Sequence, residues 1–309
     1  MIRFAVRRLI SGLGVMLGII TLVFLIGYVM PINPARAIAG RNAPAQVVAS
    51  IRRQLGLDRP LPVQYVDYVW NLAHGDFGVN YGTNQPVSQS LEDSLPFTVE
   101  LVLLGVVGEL LIGVTLGFVA ALKRATALEG VASVIATVGL TLPSFWLGMI
   151  LLYLLAFRIP LFPLGAVDQP DWVVLPAFAL AFTGAGYYTR MARSSILTEL
   201  SQDYVRTARA KGVGAGRILF VHVLRNALRP IVTMAGLDIA TLMGSALVTE
   251  QVFGIPGLGT LAWGAILAND LPVLEGVVIV VGAFVVLSTI IVDIVYTLLD
   301  PRISLTAAE

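Results

Sequence analysis

The chain has 309 residues, 57% of them hydrophobic and only 13% charged, with a net charge of +1 and a mean hydropathy of +0.86. A soluble domain carries about 25% charged residues, so the composition excludes an ordinary soluble fold and points to a membrane protein. There is no cysteine, which excludes disulfides, thiolate metal sites and cysteine nucleophiles.

Six apolar runs are long enough to cross about 30 Å of hydrocarbon as helices. They are residues 9–30, 97–122, 131–157, 172–191, 231–250 and 273–299, which predicts an all-α, polytopic protein with six transmembrane helices. The first run follows Arg3, Arg7 and Arg8 and precedes Ala35-Arg36-Ala37, a pattern shared with signal peptides. Its apolar stretch exceeds the usual length of a signal core, so an uncleaved first helix is expected. The fourth run is the weakest, because Pro176, Gly184 and Gly186 interrupt it. Prolines and glycines are tolerated in spanning helices where neighbours satisfy the backbone.

With six spans both termini fall on one side. That side collects Arg3, Arg7, Arg8, Lys123, Arg124, Arg190, Arg193 and Arg302, together with Arg206, Arg209, Lys211, Arg217, Arg225 and Arg229. The other side holds Arg36, Arg41, Arg52, Arg53, Arg59 and Arg158. Five of these six share one long loop, where the positive-inside rule counts least. Both termini and a loop over about 192–230 are therefore expected in the cytoplasm. The outer segments are a long loop over about 31–96, a short one near 158–171 and another over about 252–272. In the long loop, residues 43–57 and 63–72 have helical patterns. They suit either a small cap on the outer ends of the bundle or a docking surface for an external partner. The absence of an internal repeat argues against the inverted-repeat secondary transporters.

The 192–230 loop carries most of the information. In SQDYVRTARAK, Tyr204, Val205 and Ala208 recur at helical spacing, Ser201 or Asp203 can cap the start, and Gly212 can end the helix. Residues 215–224 form a second candidate helix. Two short helices joined at a glycine make a compact knob. It can fit a groove on a motor subunit, or its basic face can lie on anionic lipid.

Motif spacing adds a resemblance. Arg206-Thr207-Ala208, Gly212 and Leu224 fall where the EAA loop of ABC importer permeases has its E-A-A, its glycine and its late leucine. Arg206 replaces the glutamate and Arg225 the proline. Both departures suit the peptide and nickel subfamily, which favours DYV-x-TARAKG followed by H-x-LRNA. Here the chain reads Asp203-Tyr204-Val205, Thr207 to Gly212, and His222-Val223-Leu224-Arg225-Asn226-Ala227. RFAVRRLISGLGVMLGIITLVFLI, LGLDRPLPVQYVDYV, GDFGVNY, TLPSFWLGM, EQVFGIPGLGTLAWGAILANDLPVLEG and DIVYTLLDPRI extend the likeness over nearly the whole chain. Pro31-Ile32-Asn33-Pro34 departs from the subfamily's PGDP. The chain most resembles the B-type permeases of dipeptide or oligopeptide importers.

That resemblance implies a single permease domain over 1–309 with the type I ABC importer fold. It also implies a second homologous permease, two ATP-binding subunits and an external substrate-binding protein as partners. Membrane lipid is a further partner, and nucleic acid is not one. It places ATPase coupling on Tyr204, Arg206, Thr207, Ala208, Arg209, Lys211, Gly212, Arg217, His222, Arg225 and Asn226. The chain itself needs no cofactor; ATP and Mg belong to the ATPase subunits. Consistently, no Walker A pattern occurs, and Gly212-Val213-Gly214-Ala215-Gly216 lacks the spacing and the preceding strand of a nucleotide loop. No His/Asp/Glu cluster has metal-ligand spacing, and no nucleophile and base pair suggests an enzyme.

The 252–272 segment, with Gly254, Pro256, Gly257, Leu258 and Gly259, is apolar yet rich in glycine and proline. It is either a re-entrant plug or a loop that reaches into a docked binding protein, as the homologous maltose-type permeases have at this place. Acids within spans are costly and are functional candidates. Glu100, Glu250 and Glu275 lie near outer ends, where solvation is expected. Asp293 can pair with an arginine on the cytoplasmic side. The deeper Glu109 and Asp238 can line a translocation cavity or bond helix to helix, and they leave a proton-coupled secondary transporter as the alternative. Thr98, Thr115, Thr137, Thr141 and Ser144 suit interhelical bonds, and His74 and His222 are isolated.

Overall fold

The computed structural model describes residues 2–29, 34–40, 42–165, 167–169 and 171–299. Pro31-Ile32-Asn33, Arg41 and Asp300 to Arg302 lie outside them, as do the side chains of Arg3 and Asp293. The chain divides into two compact units, 1–98 with 256–309, and 99–255.

In chain order the helices are α1 (Ile2–Val29), α2 (Pro34–Ala39), α3 (Ala45–Gln54), α4 (Leu61–Ala73), α5 (Val87–Leu122), α6 (Ala127–Thr141) and α7 (Ser144–Leu151). A π-helical turn, Leu152–Arg158, extends α7. There follow α8 (Val174–Leu200), α9 (Asp203–Ala210), α10 (Ala215–Arg217), a second π-helical turn (Ile218–Val223), α11 (Leu224–Phe253), α12 (Leu258–Ala268) and α13 (Leu271–Leu299).

Among the described residues, four helical runs are long and apolar enough to cross a membrane: Val6–Tyr28, Val87–Leu122, Ala215–Phe253 and Leu271–Val292. The bent pair Ala127–Thr141 and Ser144–Arg158 makes a fifth if it is one span. The expected span over 131–157 is helical but broken in the middle: its two helices are bent by 105°. Pro143 has no N–H to offer and pushes the residue before it out of the helical region. Leu142 is accordingly extended, at φ −86° and ψ 128°. The expected fourth span corresponds to α8, 27 residues long but not among the four runs apolar enough to cross by length and composition. The 252–272 segment is also more regular than its glycines suggested, since α12 fills eleven of its residues. The expected second short helix, 215–224, does not end there but runs on through the π turn into α11.

In the first unit α1 packs antiparallel to α13. A Cβ on Gly12 would stand 2.9 Å from Val286 Cγ1, and one on Gly282 would stand 2.8 Å from Ile19 Cδ1. Small residues let membrane helices approach closely, where van der Waals contact rather than water exclusion drives association. The segment expected as an outer loop is mostly helical, with α2 to α4 followed by a turn closed by a Val79–Pro86 bridge. Tyr65 and Tyr68 anchor α4. Tyr65 shares a 2.7 Å hydrogen bond with Thr21, and Tyr68 donates to Glu275 Oε2 at 3.1 Å.

In the second unit α8 is the central helix. Leu175, Leu180, Ala185, Tyr188, Ala192 and Ile196 are all buried. Its neighbours meet it through glycines. Cβ atoms on Gly108 and Gly117 of α5 would stand 2.6 Å from the Cβ atoms of Ala181 and Ala192, and one on Gly186 would strike the Ala136 carbonyl of α6. A helix buried by small residues does not need high hydropathy, which is why α8 is faint in the sequence.

Candidate functional site

The 192–230 segment folds as a knob with its own core. Val205 of α9, Ile218 and Val223 of the π turn, Ile196 of α8, Ala227 of α11 and Ala121 of α5 are buried together. Ala208, Val213, Leu200, Leu219 and Leu224 pack around them. This cluster explains the spacing of Val205 and Ala208, which both face inward while Arg206 and Thr207 between them face out.

The start of α9 differs from expectation. Its N-cap is Gln202, with no side-chain cap bond, while Ser201 closes α8 by donating to Thr198 O at 2.7 Å. Asp203 is the first residue of α9, where a carboxylate favours the helix dipole. The end of α9 is a Schellman turn. Gly212 N–H donates to Arg209 O at 3.0 Å and Val213 N–H to Ala208 O at 3.1 Å. Gly212 holds φ +75°, the left-handed region that glycine enters without steric cost. No atom stands within 4 Å of a Cβ placed there.

One polar contact ties the knob to both flanking helices. Tyr204 Oη donates to Glu199 Oε2 at 2.6 Å and accepts from Asn226 Nδ2 at 3.3 Å. Partial burial, and then the Glu199 carboxylate, hold the phenol above its ordinary range, so it remains a donor. Tyr204→Phe removes both bonds, each contributing about 1 kcal/mol. We expect α9 amides to exchange hydrogen several-fold faster in that variant, with α8 amides unchanged; equal rates would show that the core alone holds α9.

Arg206, Thr207, Arg209, Lys211, Gly212, Arg217, His222 and Arg225 are exposed, Ala208 is half-buried, and Arg206 pairs with Asp203 at 3.7 Å. Beside this basic rim stand Phe220, 61% exposed and 5.6 Å from the Phe118 ring, and Val221. The sequence reading missed Glu199 and the exposed Phe220. Glu199 lies beyond the α9 pattern, and the π turn shifts residues off the 3.6-residue period, so an α-helical reading misassigns the face of Phe220. Glu129 was also missed; it accepts from Ala125 N–H at 2.6 Å and pairs with Arg193, joining the 123–126 turn to α8.

The 254–259 residues have separate structural duties. Gly254, at φ +63°, ends α11. Pro256 is exposed, whereas Gly257, Leu258 and Gly259 are buried, and Leu258 N–H donates to Thr98 Oγ1 at 2.9 Å. One face of α12, with Thr260, Gly264 and Ala268, lines an open groove of about 360 Å³ with Asn80 and Ser94.

Glu109 and Asp238 are brought together. Glu109 is 2% exposed and its carboxyl lies over Gly184 and against Asp238. Asp238 also accepts from Tyr188 Oη at 3.0 Å. Three helices, α5, α8 and α11, thus share one polar node. Two further acids behave differently from expectation: Glu250 is fully buried and Glu275 half-buried, and only Glu100 is exposed. Thr137 bonds between helices, accepting from Arg190 at 3.1 Å.

Residues 113–305 match the family model described as binding-protein-dependent transport system inner membrane component, and residues 1–102 match the model of its N-terminal region. The chain is 39% identical over 305 residues to a Brucella abortus protein provisionally named a peptide transport system permease protein, covering 96% of this chain and 97% of that one. It is 36% identical over 303 residues to the glutathione transport system permease protein of Salmonella typhimurium, covering 98% and 99%. A solved amino acid ABC transporter chain has a similar fold, with TM-score 0.53 and 17% identity, over 70% of this chain and 94% of that one.

Proposed function

Because the chain belongs to the family of binding-protein-dependent transport system inner membrane components, we propose that it carries peptides inward as one of two paired permeases driven by two ATPase subunits. It is a multi-pass inner-membrane permease subunit of an ABC importer and is not itself catalytic. The proposed topology has six spans, counting α8 and the bent α6–α7 pair, with both termini and the knob in the cytoplasm, all within one permease domain over 1–309.

The observation that carries the proposal is the knob itself, a small core shared with α5, α8 and α11 that presents a basic rim with an exposed aromatic at its edge. Such a surface transmits force only if it is stiff, and the Schellman turn and the Tyr204 contacts make it so. Closure of the ATP-bound motor favours one of two packed states of the permease pair, because it contacts that state better. An external binding protein supplies the cargo. Similarity to permeases named for peptides and for glutathione supports a short peptide as that cargo.

Glu109 and Asp238 are assigned here to helix-to-helix bonding, since the buried Glu109 carboxyl meets Gly184 and Asp238. For the 252–272 segment, burial of Leu258 and Gly259 supports the packed plug. Family membership removes the secondary-transporter alternative.

The test is uptake by proteoliposomes holding the chain with its co-purified subunits and binding protein. Labelled dipeptide, oligopeptide and glutathione are compared with ATP and with a pH gradient alone. ATP-dependent accumulation of one of them is expected. ATP-driven uptake of a non-peptide solute with none of these carried would overturn the cargo assignment.

A further inference from the structure

Helix α4 has two unlike faces. Tyr65 and Tyr68 point into the protein. Their rings lie 5.3 and 5.5 Å from the same α1 ring, Phe24. Tyr65 also bonds Thr21 of α1, and Tyr68 bonds Glu275 of α13, so α4 crosses from one span to the other at this level. On the opposite face Val63, Val66 and Trp70 are exposed, Val66 by 63% and Trp70 by 66%. In water, such a face on a helix of thirteen residues would be a cost without a return.

The crossing point sets its depth. The apolar stretch of α1 ends at Tyr28, and Phe24 and Thr21 stand four and seven residues inside that end, roughly 6 and 10 Å at the helical rise. On α13 the apolar stretch begins at Leu271, and Glu275, which accepts from Tyr68, stands four residues inside it, again roughly 6 Å. Two spans thus place α4 at the same level, below the ends of the hydrocarbon-crossing segments. An amphipathic helix at the headgroup boundary buries its apolar face by about 5–10 Å. Leu22, Leu25 and Ile26 of α1, at the same end, are exposed and apolar as well. Tryptophan favours the membrane boundary because its ring is both apolar and a hydrogen-bond donor. The Arg59–Asp67 pair, exposed on both sides, provides a polar edge.

We propose that α4 is an interfacial helix, with Val63, Val66 and Trp70 seated in lipid at the Tyr28 end of α1. The helix lies in the boundary of the bilayer and is not lifted above it as a water-exposed cap. This requires only that α1 and α13 span the bilayer; neither the cargo nor the orientation of the chain enters.

The native absence of cysteine makes the test direct. Val66→Cys, Trp70→Cys and, on α3, Gln54→Cys are made singly in the full chain. Each is labelled with a nitroxide after purification with its associated subunits into phospholipid nanodiscs, and the unsubstituted complex supplies the background. Collision of the nitroxide with oxygen, which concentrates in lipid, is compared with collision with a water-soluble nickel chelate. Positions 66 and 70 should favour oxygen several-fold over position 54, with a mobile spectrum. Chelate access at 66 and 70 equal to that at 54 would overturn the proposal in favour of a solvent-exposed cap. An immobile spectrum shielded from both reagents would overturn it in favour of a protein partner. Because all three substitutions are at exposed positions, folding is expected to survive, and monodisperse elution of each complex verifies it.

Discussion

Gly212→Val is expected to cut ATP-driven peptide uptake by about tenfold or more while the complex still assembles and hydrolyses ATP. Gly212 holds φ +75° at the end of α9. An L-residue in the left-handed region costs about 1–2 kcal/mol, and a β-branched residue is a worse occupant still. The space around the site is empty, so the penalty comes from the backbone and not from a clash. The chain escapes it by giving up the Schellman bonds of Gly212 and Val213, which reorients α9 against α10. If a 1.4 kcal/mol penalty falls on the coupled state, it gives about a tenfold loss of rate. A series separates this cause from others. Gly212→Asn should be mildest, because asparagine tolerates the left-handed region, with Ala intermediate and Val worst. Uptake and ATP turnover are measured in the same proteoliposomes. Normal uptake by the valine variant would remove Gly212 from coupling.

The second large effect is expected on folding. In Gly113→Ala/Gly117→Ala the new methyl groups have nowhere to go. The Cβ at 117 would stand 2.6 Å from the Thr189 carbonyl and 3.0 Å from Arg193 N, and that at 113 would stand 2.8 Å from the Ala185 carbonyl. These are backbone atoms of α8, so relief requires moving the whole helix. Overpacking costs about 1–3 kcal/mol per site, and the two sites lie on one interface and will couple. The melting temperature in detergent should fall by at least about 5 °C, given the usual scaling for chains of this size. Gly14→Ala is the control. Nothing stands within 4 Å of its Cβ, and alanine is the better helix former by up to about 1 kcal/mol, so it should lose nothing. An equal loss in both variants would mean that the α5–α8 contact is not tight.

The legible and illegible parts of this protein divide along a physical line. The α9 helix and its end were readable because the pattern is local: apolar residues at helical spacing, then glycine at the turn. The length of α1 and α13 was readable because long apolar runs announce themselves by hydropathy. What escaped was set by contacts between distant segments. The α8 helix looks weak because Gly184 and Gly186 interrupt it, yet those glycines admit Glu109 and the Ala136 carbonyl. The break at Leu142 was signalled by Pro143, but only packing decides whether a proline is absorbed or bends the span. Glu250 looked like a solvated residue at a helix end, and its burial follows from neighbours the sequence does not reveal. In the 192–230 segment, Tyr204 bonds Glu199 five positions before it and Asn226 22 positions after it, and no helical periodicity connects the three.

The run from Ala215 to Phe253 is continuously helical over 39 residues, with Pro230 inside it, and at the helical rise it is about 58 Å long. It begins in the knob, a few residues after Gly212, and ends at the left-handed turn of Gly254. A rod of that length has leverage. Pivoted near one end, a tilt of about 10° displaces the other by roughly 10 Å, more than the width of a dipeptide backbone. If a motor subunit pushes the knob, as proposed, the far end of this run moves by geometry and needs no relay of side-chain rearrangements. The π turn at Ile218–Val223 sits at the foot of this rod, where one extra residue sets the angular offset between handle and shaft. Removing a single residue there would leave the rod intact and turn the handle by about 100°, one residue's step in the helix.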